Sequence, residues 1–226
     1  MKLRLSVAML AALSFGAVMA QDTTSDKGKL SYAMGYEIGQ DITQRKLDVD
    51  LNTVIRAIQD GYAKKNPAVP EADMRAALEA MQQRLMEQAK AEFERVAAEN
   101  KAKSDQFLAA NRSKQGIQTL PSGIQYRVID QGAGPQPTAN STVEIHFRGS
   151  LSTGQEFAST YTGNQAVTMQ VSAAPIKGLQ EVLPLMKSGS RWEIFLPPDM
   201  AYGDSPRSPI GPSQAVIFDV KLVSVK

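Results

Sequence analysis

The chain has 226 residues, 42% of them hydrophobic and 21% charged, a composition that can bury a core, and its formal charge is only +2. It has no cysteine and a single histidine, so disulfides, thiol nucleophiles and the usual transition-metal clusters have no material to work with. Without Lys2 and Arg4 the formal charge is zero, which leaves no whole-molecule basic field to gather nucleic acid.

Those two cations precede the apolar run "LSVAMLAALSFGAVMA", which ends with Val18 and Ala20 where a signal peptidase needs small residues. The pattern predicts an export signal over residues 1–20, cleaved after Ala20. The run is short for a membrane span of about 20 residues and has no charged stop behind it. No cysteine follows it, so no lipid anchor is expected. The mature chain is expected to be free of the membrane in an exported compartment: the periplasm, the outer cell surface or the medium.

From Asp26 to Arg45 the residues Leu30, Met34, Ile38 and Ile42 recur every four, which predicts a helix with one buried face. Gly35 and Gly39 lie four apart on it, either to admit a close partner helix or as two tolerated glycines. "DVDLNTVIRAIQDGYAKK" predicts a second short helix, capped by Asp50 or Asn52, with Leu51, Val54, Ile55 and Ile58 inward. Residues 21–69 thus form a helical region.

Between Pro70 and Gly116 there is neither proline nor glycine, and strong helix formers dominate. One long connecting helix is expected within residues 70–115, its roughly 41 helical residues reaching about 60 Å. Its apolar positions, Met74, Leu78, Met81, Leu85, Ala89, Phe93 and Val96, are dense early and thin later until Phe107. The first half is therefore expected to pack and the second half to be largely solvated. Pairs such as Glu71/Arg75 and Glu99/Lys103 read as a solubilising face.

Residues 116–226 change texture. "GIQYRVIDQG", "STVEIHFRGSL", "AVTMQV", "SRWEIFLPP" and "AVIFDVKLVSVK" are five strand candidates, with the helical candidate "KGLQEVLPLMKSG" between the third and fourth. Pro184 should bend or end that helix. The fold class is α+β: helices first, then an antiparallel sheet domain. The stretch "PPDMAYGDSPRSPIGP" at 197–212 holds five of the twelve prolines and lies between two strands, so it is a loop inside this domain.

The lone His146 alternates with Val143, Ile145 and Phe147 on a strand and falls on the less buried face, which argues against a Ser–His–Asp arrangement. "GAGP" at 132–135 leads into no helix and is a turn rather than a phosphate cradle. Rotation about an X–Pro amide needs no nucleophile, metal or cofactor. Its barrier of about 18–20 kcal/mol reflects lost amide resonance. An apolar, water-poor pocket with one or two fixed donors can favour the twisted amide.

The motifs "VEIHFRGSL...GQEF", "PIKGLQEVLPLMKSGSRWEIFLPPDMAYG" and "IGPSQAVIFDVKLVSV" resemble the FKBP-type peptidyl-prolyl isomerases. "DKGKLSYAMGYEIGQDI" is similar to the dimerisation region of the exported macrophage-infectivity-potentiator-like members. The resemblance covers essentially the whole mature chain. It implies a five- to six-stranded sheet wrapped on a short helix, with a proline pocket between them. It also implies a V-shaped homodimer joined by the N-terminal helices, acting on proline-containing, unfolded or partly folded polypeptides, with no cofactor.

Carried over by position, the resemblance implies that Tyr202 offers its hydroxyl to a substrate carbonyl and that the Ile176 N–H binds the carbonyl near the proline. Phe157 and Phe218 match pocket walls, and Ile210 matches the loop isoleucine after the tyrosine. Four positions depart from the family pattern: Phe147 replaces a tyrosine, Ala158 an aspartate, Leu179 a tryptophan and Pro175 a valine. A further wall position falls at Val167 or Met169. Because the tyrosine and aspartate share a hydrogen bond, losing both orphans no polar group, but it removes the pocket's carboxylate. A wider, softer pocket, wholly apolar at its base, is expected. The readings that follow are a weak prolyl isomerase with chaperone activity, a client-binding chaperone with an impaired pocket, or a purely structural dimeric adaptor.

Overall fold

In the computed structural model the structure describes residues 22–226. The signal-peptide reading of residues 1–20 lies outside the described residues. The chain divides into two compact units, one ending at Arg75 and the other spanning Ala76–Lys226.

In the first unit α1 spans Asp26–Gln44 and α2 spans Leu51–Tyr62. Ser25 caps α1 by accepting the Gly28 N–H at 3.0 Å, and Asp50 caps α2 by accepting the Thr53 N–H at 2.7 Å. Of the two cap candidates for α2, Asp50 is the one used. The periodicity is as expected, but the apolar faces are not buried within one chain. Leu30, Met34, Ile38, Leu51, Ile55 and Ile58 are all exposed. Two short helices offer each other too little surface to cover both stripes. Between them lies a groove of about 710 Å³ lined by Gly35, Tyr36, Ile38, Leu51, Ile55 and Ile58, among others.

The long helix α3 runs without a break over Glu71–Arg112. Its packing is the reverse of the sequence expectation. Leu78 and Met86 in its first half are exposed, Leu78 by 62%. The second half is the docked part: Ser104 and Asn111 are fully buried, and the Phe107 ring packs against Phe195 with centroids 6.1 Å apart. The ion pairs along the solvent side are Arg95 with Glu92 and Glu99, Lys90 with Glu94 and Lys101 with Asp105.

Seven strands follow: β1 (Gln118–Thr119), β2 (Gln125–Asp130), β3 (Thr142–Leu151), β4 (Glu156–Ser159), β5 (Val167–Gln170), β6 (Arg191–Leu196) and β7 (Val216–Val225). All pairings are antiparallel, in the order β1-β2-β6-β7-β3-β4, with β5 beside the first half of β3. The five strand candidates are all strands. The two additional ones have two and four residues, too few to show a period of two.

Inward residues Val143, Ile145, Ile194, Leu196, Phe218, Val220 and Leu222 form one core with Leu179, Val182 and Leu183. The last three come from the short helix α4 (Lys177–Val182) and the single 3₁₀ turn, Leu183–Leu185, that continues it. Pro184 lies in that turn, so the α-helix stops before it, as a residue without an N–H requires. Gly178 lets α4 approach the sheet: a Cβ there would lie 2.4 Å from Leu196 Cδ2.

Candidate active site

The aromatic corner is built on β3, β4, β7 and the loop after β6. Phe147 and Gly149 point inward from β3, and Phe218 from β7 pairs directly with Gly149. The Phe218 ring, 2% exposed, lies 5.8 Å from Phe147 at a tilt of 55°. Phe157, from β4, meets Phe218 edge-on at 6.0 Å and 86°. It meets Tyr202 in the same way at 5.8 Å and 82°. Edge-to-face packing places the positive rim of one ring on the negative face of the next.

Gly149 makes this corner possible. A Cβ there would stand 2.9 Å from Phe157 Cζ and 3.1 Å from Phe218 Cε1. Ala158 is half-buried and pairs with Gly149 across the β3–β4 ladder. No side chain among Phe147, Phe157, Ala158, Leu179, Ile210 and Phe218 can ionise.

Two hydrogen-bond donors of the sequence-predicted site have no protein partner among the described residues. Ile176 is the N-cap of α4 and is only 5% exposed. Its carbonyl accepts from the Leu179 and Gln180 amides at 3.0 and 3.3 Å, whereas its own N–H donates to no protein acceptor among the described residues. Gln180 Nε2 donates to Ala174 O at 2.7 Å and braces the turn just before it. The half-buried Tyr202 hydroxyl likewise has no partner among the described residues. Burial pushes its pKa up, which keeps it a neutral donor.

The remaining sequence candidates separate. Leu179 is buried in the core, and Ile210 and Met169 are half-buried against it. Pro175 is exposed. Register pairs Met169 with Val143 and Val167 with Ile145; Val167 is 36% exposed and is not packed on the core.

Sequence reasoning missed Thr160. Its Oγ1 accepts the Phe147 N–H at 2.9 Å, donates to Phe147 O at 3.2 Å and lies 3.1 Å from His146 Nδ1. It thus closes the β3 backbone beside Phe147 and gives Nδ1 of the lone histidine a partner. No spacing signal points to a threonine thirteen residues away from its partner. His146 itself stacks on Tyr161 at 5.1 Å, on the opposite side of β3 from Phe147, as its alternation implied.

Residues 27–128 match the domain amino terminal to FKBP-type peptidyl-prolyl isomerase, and residues 134–223 match the FKBP-type peptidyl-prolyl cis-trans isomerase domain. The chain is 41% identical to an outer membrane protein MIP of Legionella longbeachae, covering 100% of this chain and 99% of the relative. It is 37% identical to the peptidyl-prolyl cis-trans isomerase Mip of Coxiella burnetii, covering 98% and 96%. The crystal structure of FkpA from Escherichia coli superposes with a TM-score of 0.72 at 28% identity, covering 90% of this chain and 98% of that one. The chain belongs to the FKBP-type peptidyl-prolyl cis-trans isomerase family, in the branch that carries a helical amino-terminal domain.

Proposed function

We propose that the protein catalyses cis–trans rotation about X–Pro bonds of exported polypeptides by a non-covalent route, as a homodimer with chaperone activity. The observation that carries this reading is the Tyr202 ring edge-on to Phe157 in an aromatic corner without a charged side chain, with the Tyr202 hydroxyl and the Ile176 N–H unpartnered among the described residues.

Proline is taken against the apolar ring faces of Phe147, Phe157 and Phe218, which shield it from water. A planar amide carries charge separation that water stabilises; a twisted amide carries less. Moving the bond into an apolar site therefore raises the planar state relative to the twisted one. The Ile176 N–H and Tyr202 hydroxyl hold the flanking carbonyls, so the chain on one side of the bond is fixed while the other turns. No proton is transferred, because the nearest titratable group in the corner is a tyrosine with a raised pKa.

The absence of a carboxylate at Ala158 and of a broad ring at Leu179 supports a looser grip on proline and a modest rate. The uncovered stripes of α1 and α2 support pairing with a second copy: apolar faces of this kind are unstable in water until a partner covers them. Two linked sites then raise avidity for unfolded chains without new contacts. Export follows from the leader-like first twenty residues.

The test is a protease-free proline-peptide assay on residues 21–226, with Tyr202→Phe and Phe218→Ala beside it. Catalysis above the uncatalysed rate, reduced in both variants, supports the reading. A rate equal to the uncatalysed one ends it in favour of a client-binding chaperone.

A further inference from the structure

Ser104 lies in the docked half of α3 and is 1% exposed. Its hydroxyl donates to Ser213 O at 2.9 Å and accepts the Ala215 N–H at 2.7 Å. One turn earlier, Asn100 Nδ2 donates to Pro212 O at 2.9 Å. Two side chains of the helix thus satisfy three backbone groups at the end of the loop that carries Tyr202 and Ile210. Ala215 is wholly buried and Ser213 nearly so, which leaves no room for water to take over these bonds.

Ser213 is a junction. It holds a left-handed backbone, φ 53°, which a residue with a side chain adopts only when its surroundings dictate it. Its N–H donates to Gly203 O at 3.0 Å, its hydroxyl donates to Asp204, and its carbonyl is held by Ser104. Gly203 follows Tyr202 directly. A hydrogen-bonded line therefore runs from Ser104 through Ser213 to Gly203 and the backbone of Tyr202. The loop between β6 and β7 is long, residues 197–215, and segments of that length need anchoring to hold one conformation.

We propose that Ser104, with Asn100 beside it, is a positioning residue for prolyl isomerisation. It places the Tyr202 hydroxyl through Ser213 and Gly203, so the polar face of α3 at Asn100 and Ser104 belongs to the working structure of the isomerase domain. The inference rests on the isomerase reading, with Tyr202 as donor. Position 104 needs a group that donates and accepts at once. Alanine there orphans two buried backbone groups, whereas threonine keeps both bonds.

The experiment is a double-mutant cycle on the mature chain, read as kcat/KM on a proline peptide well below Tm. Ser104→Ala is expected to lower kcat/KM by about three- to tenfold, no more than Tyr202→Phe does, and Ser104→Thr to restore it to within about twofold. In a Tyr202→Phe background, Ser104→Ala should cost less than about twofold, because the group it places is gone. Phe107→Leu thins the same helix contact at Phe195; it should lower Tm and leave kcat/KM unchanged. If Ser104→Ala does not fold, Asn100→Ala takes its place in the cycle, with an expected loss of about threefold.

Amide resonances provide a readout that does not depend on activity: those of Tyr202 and Gly203 should shift in the Ser104 or Asn100 variant and stay in place in Phe107→Leu. Wild-type kcat/KM in the alanine variant, an equal loss in both backgrounds, or unmoved Tyr202 and Gly203 resonances would each overturn the proposal. A wild-type protein no faster than the uncatalysed reaction fails the isomerase reading instead, and the amide shifts still decide whether Ser104 holds Tyr202.

Discussion

Phe157 stands edge-on to Tyr202, with ring centroids 5.8 Å apart and planes at 82°. This contact joins the rim loop to the sheet, so the hydroxyl proposed to hold the substrate and the wall proposed to hold the proline ring are fixed against each other. Tyr202→Phe keeps the contact and removes only the hydroxyl. It is expected to lower kcat/KM by about three- to tenfold, the worth of one hydrogen bond, with little change in Tm. Unchanged kcat/KM in this variant would remove the hydroxyl from the mechanism.

The Tyr202 hydroxyl also sets a pH expectation. Burial disfavours the phenolate and raises its pKa above the ordinary tyrosine value of about 10. The proton that makes the hydrogen bond is present below the raised pKa and lost above it. Isomerisation of an uncharged peptide is therefore expected to stay level through neutral pH and to fall only above the ordinary tyrosine range. A fall centred between pH 6 and 8 would point to a different group.

Gly149→Ala tests the corner from below. The added methyl meets the rings of Phe157 and Phe218 at 2.9 and 3.1 Å, so both must move. Overpacking of this kind is expected to cost about 1–3 kcal/mol in a denaturant melt and to reduce kcat/KM. Full stability together with full activity would mean that the corner is more plastic than its packing implies.

Phe218→Ala removes the most buried ring of the corner and should destabilise the domain by about 3–5 kcal/mol. Its activity is best read at low temperature, where the folded fraction is still high. Loss of catalysis with a folded near-UV spectrum separates the pocket role from the core role.

Ile55→Asp places a charge in the groove between α1 and α2. It is expected to yield a monomer in sedimentation equilibrium, leave peptide isomerisation unchanged and weaken suppression of client aggregation. A variant that stays dimeric would move the dimer contact elsewhere on the chain.

Local sequence determined much of this protein. Helix periodicity, the cap candidates Asp50 and Asn52 and the absence of proline and glycine between Pro70 and Gly116 are properties of neighbouring residues, and the three helices α1 to α3 appear close to where those signals put them. The alternation of Val143, Ile145 and Phe147 against His146 and Arg148 likewise fixes which side of β3 each residue faces. The aromatic and tyrosine positions of the candidate site came from motif resemblance rather than from periodicity.

Only the tertiary structure decided how α3 docks. The apolar stripe pointed to its first half, yet the contact is made by Asn100, Ser104, Phe107 and Asn111 in the second. Three of these four are polar, and a polar residue on a helix carries no sign of burial in its spacing. What buries Ser104 is a pair of backbone groups more than a hundred residues away, whose need for a partner arises only when the loop after β6 is in place. For the same reason no local pattern could reveal that Thr160 closes on Phe147 or that the Ile176 N–H has no acceptor among the described residues. Hydrogen-bond satisfaction is settled by the whole fold, and that is where the donors of this site are chosen.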